Sequence, residues 1–225
     1  ITTGSNTLAV GASGSVSRTT GHIVGKLQKN VATGASVART FEIGTGANYT
    51  PAAVTFASVS GAGNLTVSTT AGDHPQISSA TIDQTKSVNR YWTLANSGIT
   101  FTNYDITLTF DASDVDGGAN TAALTIGQYN ARWTYPTVTA KQPLYTTATG
   151  VTTVGDFQIG EFGTTKIWTG TTNNNWETST NWTPNGVPTS SDNVSLTGST
   201  TYTININNPG AICKALTISN PNLSL

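Results

Sequence analysis

Short runs in which apolar or β-branched residues alternate with polar ones recur along the chain, separated by turns rich in Gly, Asn and Asp. This is the pattern of strands at regular spacing. The clearest run is Tyr104-Ile106-Leu108-Phe110, whose apolar side chains share one face while Asp105, Thr107 and Thr109 share the other. It predicts a half-buried strand with one solvated side. Further strands are predicted near Thr7–Val10, His22–Leu27, Thr40–Ile43, Ala53–Ser58, Asn64–Ser68, Arg90–Leu94, Ala122–Tyr129, Arg132–Tyr135, Gly150–Thr153 and Phe157–Phe162. Gly44-Thr45-Gly46, Gly61-Ala62-Gly63 and Asp116-Gly117-Gly118 supply turn chemistry between them. Gln76–Asn96 is free of Gly and Pro, but its β-branched content and weak 3.6-residue period predict no more than one helical turn.

The spacing implies an organisation. Residues 20–163 hold roughly nine strands, the size of one β-sandwich. Trp92, flanked by Tyr91 and Leu94, is the expected core residue of a central strand, and Trp133-Thr134-Tyr135-Pro136 the expected edge strand ended by proline. Residues 164–225 begin with three tryptophans, Trp168, Trp176 and Trp182, and continue into thin strands at Tyr202–Ile206 and Ala215–Ser219 before closing on Asn222-Leu223-Ser224-Leu225. These thin strands resemble solenoid rungs, and residues 1–19 read in the same way. The expected fold is therefore all-β: an Ig-like antiparallel β-sandwich, preceded by solenoid-like strands and followed by a Trp-rich segment with short β-solenoid-like strands. Because the two ends match, the chain is expected to be about one period of a tandem array. Its opening on Ile1, with no charged-then-apolar leader, suits a processed or excised segment.

Composition narrows the function. Only 9% of the residues are charged and the formal net charge is -1. Ten Lys and Arg spread over 225 residues cannot form the basic surface that a nucleic-acid partner requires. Scarcity of Glu and Lys argues against a helical bundle, and 5 Trp, 7 Tyr and 6 Phe against a disordered tail. No apolar run approaches the ~20 residues of a membrane span. Low charge, one Cys and no Met suit work outside the cytoplasm. Asn-x-Ser/Thr triplets at Asn48, Asn64, Asn181, Asn193 and Asn222 are expected by chance in so Asn- and Thr-rich a chain.

Several segments resemble a known group. Thr20-Gly21-His22-Ile23-Val24-Gly25-Lys26-Leu27-Gln28-Lys29 followed by Thr40-Phe41-Glu42-Ile43-Gly44, then Ser87-Val88-Asn89-Arg90-Tyr91-Trp92-Thr93-Leu94 and Gly155-Asp156-Phe157-Gln158-Ile159-Gly160-Glu161, resemble segments of large secreted surface proteins of Bacteroidota. Ile167-Trp168-Thr169-Gly170, Asn175-Trp176, Asn181-Trp182, Gly186-Val187-Pro188-Thr189 and Asp192-Asn193-Val194 resemble the module that opens a β-helical segment in those proteins. The resemblance covers nearly the whole chain. It implies export by the type IX secretion route and a place in a multi-domain adhesin or cell-surface filament. It implies no catalytic residues.

Two clusters could carry chemistry. Asp111, Asp114 and Asp116, with Gly117, Gly118 and Asn120, could offer several oxygens to Ca²⁺, the one cofactor that this loop suggests. The spacing is not that of an EF-hand, and the alternative is a turn in which Asp side chains cap their own backbone. Trp168, Trp176 and Trp182 could stack on the sugar rings of surface glycans, or could form a hydrophobic cap for the solenoid. His22 and His74 lack a nucleophile motif, Cys213 sits in an apolar context, and no zinc spacing occurs. The chain is thus expected to be no enzyme. It reads as a structural or adhesive module of an extracellular repetitive protein, joined head to tail to copies of itself or to adjacent repeats. A carbohydrate-binding module of a secreted enzyme is the alternative.

Overall fold

The computed structural model describes residues 1–197, 203–207 and 209–219. Tyr202, where a strand is expected to begin, and the closing run Asn222-Leu223-Ser224-Leu225 lie outside them. The chain divides into two compact units, Ile1–Glu161 and Phe162–Leu225. Both are built of strands joined by turns and single 3₁₀ turns, so the all-β expectation holds.

The first unit is a sandwich. Its strands are β1 (Thr2–Val10), β2 (Ile23–Val31), β3 (Gly34–Phe41), β4 (Ile43–Thr45), β5 (Asn48–Tyr49), β6 (Ala52–Gly61), β7 (Gly63–Ala71) and β8 (Ile82–Ser97). They continue with β9 (Thr100–Phe101), β10 (Tyr104–Thr109), β11 (Thr125–Asn130), β12 (Arg132–Thr134), β13 (Thr137–Gln142), β14 (Tyr145–Val151) and β15 (Asp156–Phe162). A nine-stranded sheet runs β12-β11-β15-β8-β7-β2-β4-β5, with β1 beside β2. A six-stranded sheet runs β13-β14-β10-β6-β3, with β9 beside β6. Pairing is antiparallel except for β1–β2 and β2–β4.

Alternation explains the core. Tyr104, Ile106 and Leu108 of β10 face inward and are fully buried, as the sequence predicts. They meet Phe41, Val54 and Phe56 of the smaller sheet, and Leu27, Trp92, Leu94 and Phe157 from the larger one, in one apolar cluster. Trp92 is fully buried, and its indole N–H donates to the Thr50 carbonyl at 3.1 Å, so the polar end of the ring is satisfied inside the core. Only one short 3₁₀ turn, Ile77–Ser79, forms between Gln76 and the long strand β8.

Three expectations are revised. The N-terminal stretch is not a separate run of rungs: β1 lies parallel to β2, the Val24 N–H donates to the Ile1 carbonyl at 2.8 Å, and Val10 packs on the core. The physical reason is that β2 presents backbone groups along that edge which need partners. Thr40–Ile43 is two strands rather than one, because the chain leaves the small sheet after Phe41 and enters the large one at Ile43. The predicted strand over Ala122–Tyr129 starts only at Thr125, the preceding residues forming a 3₁₀ turn capped by Asn120.

One inward position of β8 carries a charge. Arg90 is 1% exposed and pairs with Asp114 through two bonds, Nε to Oδ2 at 2.8 Å and Nη2 to Oδ1 at 3.0 Å. Its remaining donors reach the hydroxyls of Thr45 at 2.9 Å and Thr69 at 3.3 Å. The fork geometry of guanidinium makes this fourfold satisfaction possible where lysine could not. Removing one member strands a buried charge, so Arg90→Ala is expected to cost roughly 3–5 kcal/mol of the first unit's stability in urea unfolding. The double substitution Arg90→Met with Asp114→Leu is expected to cost less than Arg90→Ala alone.

Candidate functional site

The second unit is a short parallel stack. β16 (Thr165–Trp168) pairs antiparallel with β17 (Trp182–Thr183) on one side, and β18 (Asn193–Thr197) and β19 (Ala215–Ser219) follow in parallel on the other. Register aligns Lys166 with Val194 and Val194 with Leu216, and it sets Leu196 beside Ile218. Residues two apart share a face, so Val194, Leu196, Leu216 and Ile218 line the same side of successive rungs. An isolated parallel bridge between Asn175 and Asn205 repeats the stacking on the return segments.

Polar side chains wire the turns of this stack. Asn181 is fully buried; its Oδ1 accepts the N–H groups of Thr172 (3.0 Å) and Asn173 (3.2 Å), and its Nδ2 donates to Asn173 Oδ1 and the Asn175 carbonyl, both at 2.9 Å. One amide thereby satisfies backbone groups that a loop without regular pairing would leave bare. Asp192 performs the matching task at the rungs. Its carboxylate accepts the Thr164 hydroxyl and both the N–H (2.9 Å) and hydroxyl (2.8 Å) of Thr189, while its carbonyl accepts the Lys214 N–H at 2.8 Å. Burial pushes this carboxyl upward, but the bonds from Thr164 and Thr189, with the nearby Lys166 charge, outweigh it and hold the group below its ordinary value.

The last of the described rungs has one unpaired edge among the described residues. β18 lies between neighbours, and its Val194 and Leu196 are 1% and 0% exposed. β19 pairs with β18 alone among the described residues, and its Leu216 and Ile218 are 46% and 45% exposed. Beside them Leu196, Ile204, Ile212 and Cys213, with Trp176, line an apolar cleft of about 260 Å³. Ala215-Leu216-Thr217-Ile218-Ser219 carries neither the charge nor the proline that usually protects a strand edge. Burial pushes the Cys213 thiol above its ordinary pKa, which suits a packing residue rather than a nucleophile.

The sites suggested by sequence fall differently. Trp168, Trp176 and Trp182 are 5%, 5% and 2% exposed and pack edge to face, at 4.9 Å for Trp168–Trp182 and 4.7 Å for Trp176–Trp182. They are the core of the second unit with Val194, Leu196 and Ile204, and little of each ring reaches the surface. The glycan platform is thereby corrected: in a unit this small, the largest rings are what fill the interior.

The acidic loop is spent on internal bonds. Asp111 caps the 3₁₀ turn Ala112–Asp114 by accepting from Ser113, Asp114 holds Arg90, and Asp116 accepts from Ser87 N (2.9 Å) and Asn89 Nδ2 (2.6 Å). Among the described residues no group of three or more His, Cys, Asp or Glu side chains is arranged to hold a metal ion.

His74 and Asn181 were not singled out as organising residues by the sequence reading. His74 is buried, caged by Tyr91, Tyr129 and Trp133 at 4.9–5.2 Å, with Nε2 3.0 Å from Asp156 Oδ2 and Nδ1 accepting the Gln76 N–H at 3.1 Å. That second bond places the ring proton on Nε2, facing the carboxylate. Next to it, burial raises the Asp73 carboxyl, against the bond from Ser87, with the Asp116 charge adding to the rise. In the sequence Asn181 stands out as part of the Asn-Trp motif and as a glycosylation triplet, and its burial does not suit the latter. Comparison with protein-family models, curated proteins and solved structures returns no match.

Two outcomes test the stack. Asp192 stabilises it fully above the ordinary carboxylate value of 3.8, and the contribution is lost as pH falls through the lower folded-state value. Asp192→Asn is therefore expected to lower the melting temperature at neutral pH and to shrink its dependence on pH in the acid range. Trp176→Ala is expected to cost roughly 3–5 kcal/mol of the second unit's stability, read by thermal unfolding.

Proposed function

We propose that the chain is a structural module of an extracellular, repetitive surface protein or filament, and that it is joined end to end with neighbouring repeats through strand edges. The observation that carries this reading is the open β19 rung, uncharged and half-exposed over Leu216 and Ile218 while the equivalent residues one rung earlier are buried. A further strand in parallel register would cover β19 as β19 covers β18. The complementary edge is β1, which is also uncharged, pairs only with β2 among the described residues, and belongs to a parallel pair. Low charge and the resemblance to secreted adhesin-like proteins support the extracellular setting.

Magnitudes decide what sort of neighbour this is. Covering the half-exposed Leu216 and Ile218, with Ile206 and Ile212 beside them, contributes roughly 1 kcal/mol each. A handful of edge hydrogen bonds adds about 0.5–1.5 kcal/mol apiece. Association of free partners costs about 4–15 kcal/mol, so separate copies pair weakly. A covalently adjacent repeat escapes most of that cost through its high effective concentration. The module accordingly works within a continuous array, where β19 passes load through backbone pairing to the next unit.

A head-to-tail fusion of two copies is expected to raise the melting temperature of the upstream copy's second unit relative to the single chain. Ile218→Lys in that copy is expected to abolish the gain while leaving the single chain's melting temperature within about 2 °C. A fusion whose units melt as they do in the single chain would overturn the proposal.

A further inference from the structure

The inner face of the sandwich changes character at one edge. In β11 the inward positions run Ile126, Gln128 and Asn130, and register pairs Gln128 with Thr134 and Asn130 with Arg132 across the β11–β12 hairpin. Directly paired residues share a face, so after the core residue Ile126 the interior side carries two amides, a hydroxyl and a guanidinium. The opposite face keeps the aromatic pair Tyr129–Trp133 at 5.2 Å. Most other inward positions of the sandwich carry Ile, Val, Leu, Phe or another apolar side chain. A cleft of about 400 Å³ opens between the hairpin and residues 150–153, the end of β14 and the start of its link to β15. That volume lies in the lower part of the about 300–1,000 Å³ range of small-ligand sites.

The cleft is held in shape from within. Gln128 Nε2 donates to the Thr153 carbonyl at 2.6 Å and to its hydroxyl at 3.1 Å, and the buried Tyr104 hydroxyl donates to the same carbonyl at 2.7 Å. On the hairpin side, Pro136 gives the wall an apolar patch, while the Tyr135 ring packs on Ile77, Ala80 and Ile82 and its hydroxyl accepts the Thr81 N–H at 2.5 Å. Arg132 is the one charged side chain lining the cleft. It is exposed and has neither a hydrogen bond nor an ion pair among the described residues. Arg90, by contrast, is bound on every side, Lys29 pairs with Glu42 at 2.6 Å, and Lys166 is spent on two carbonyls.

The geometry points to a binding site for a carboxylate-bearing sugar at this edge of the sandwich, separate from the strand edge proposed for assembly. The Arg132 fork matches a carboxylate, the amide of Asn130 and the hydroxyl of Thr134 match ring hydroxyls, and the Pro136 ring offers an apolar contact to the C–H face of a pyranose. An extended peptide would need unpaired backbone or an apolar side-chain pocket, and this wall supplies polar side-chain ends instead.

The test is calorimetry and chemical-shift mapping on the whole chain with four probes: trigalacturonate, its methyl ester, sialyllactose and lactose. At least one acidic sugar is expected to bind with Kd of about 1 mM or tighter and to shift residues 128–136 and 150–153, while its neutral counterpart binds at least tenfold more weakly. Arg132→Ala is expected to weaken the acidic sugar at least about tenfold with an unchanged melting temperature, and Arg132→Lys to restore only part of it. Binding of neither acid, equal binding of acid and neutral forms, or affinity indifferent to Arg132→Ala would each overturn the assignment. So would acetate competing as tightly as the sugar, which would mark a bare anion contact.

Discussion

Every strand in this protein depends on a neighbour to satisfy its backbone N–H and C=O groups, and that constraint organises the rest. The chain has few charges with which to protect a bare edge. In the first unit the response is a sandwich whose central strands, β2, β7, β8 and β10, are paired along both edges. The same need draws β1 onto β2 in parallel, although its own side chains are almost all exposed and it contributes little to the core. In the second unit the constraint is met rung by rung until β19, where pairing stops among the described residues.

Irregular segments are stabilised by a different device. Where the chain leaves the sheets, single buried polar residues gather several backbone groups at once. Arg90 and Asp114 tie β8 to the turn after β10, Asn181 closes the loops around the three tryptophans, and Asp192 joins the starts of β16 and β19. Each is costly to bury alone and stable only because all of its donors or acceptors are met. These residues therefore specify the arrangement more than they stabilise it, while Trp92 and the Trp168–Trp176–Trp182 group supply the apolar burial.

Part of this was legible in the chain and part was not. The β10 alternation, the central role of Trp92 and the edge strand ended at Pro136 could be read directly, because each is a local pattern of burial or backbone chemistry. β13 and most of β14 escaped notice: Thr137–Gln142 and Tyr145–Val151 are so rich in Thr that the two faces scarcely differ in polarity. The acids at 111, 114 and 116 are visible and Asp111 finds its partner locally in Ser113, but the partners of Asp114 and Asp116, namely Arg90, Ser87 and Asn89, lie over 20 residues upstream, and no spacing rule connects them. The tryptophans were evident as a cluster; whether they face water or each other depends on the coil that encloses them. The polar edge of β11 and β12 was hidden for the same reason, since Gln128 and Asn130 look like ordinary solvent-facing residues until register sets them on the interior side.

The sequence alone determined that the protein is all-β, sparsely charged and divided between a sandwich and a stack of short rungs. Those properties follow from residue type and from a period of two, and both are local. Only the tertiary structure decided which strands are neighbours, that Phe41 and Ile43 belong to different sheets, and which edge of β19 is unpaired among the described residues. A strand's alternation says which face it buries but carries no information about who pairs with its edges. That choice is made by backbone hydrogen bonds between segments far apart in the chain, and it settles only when the whole sheet has formed.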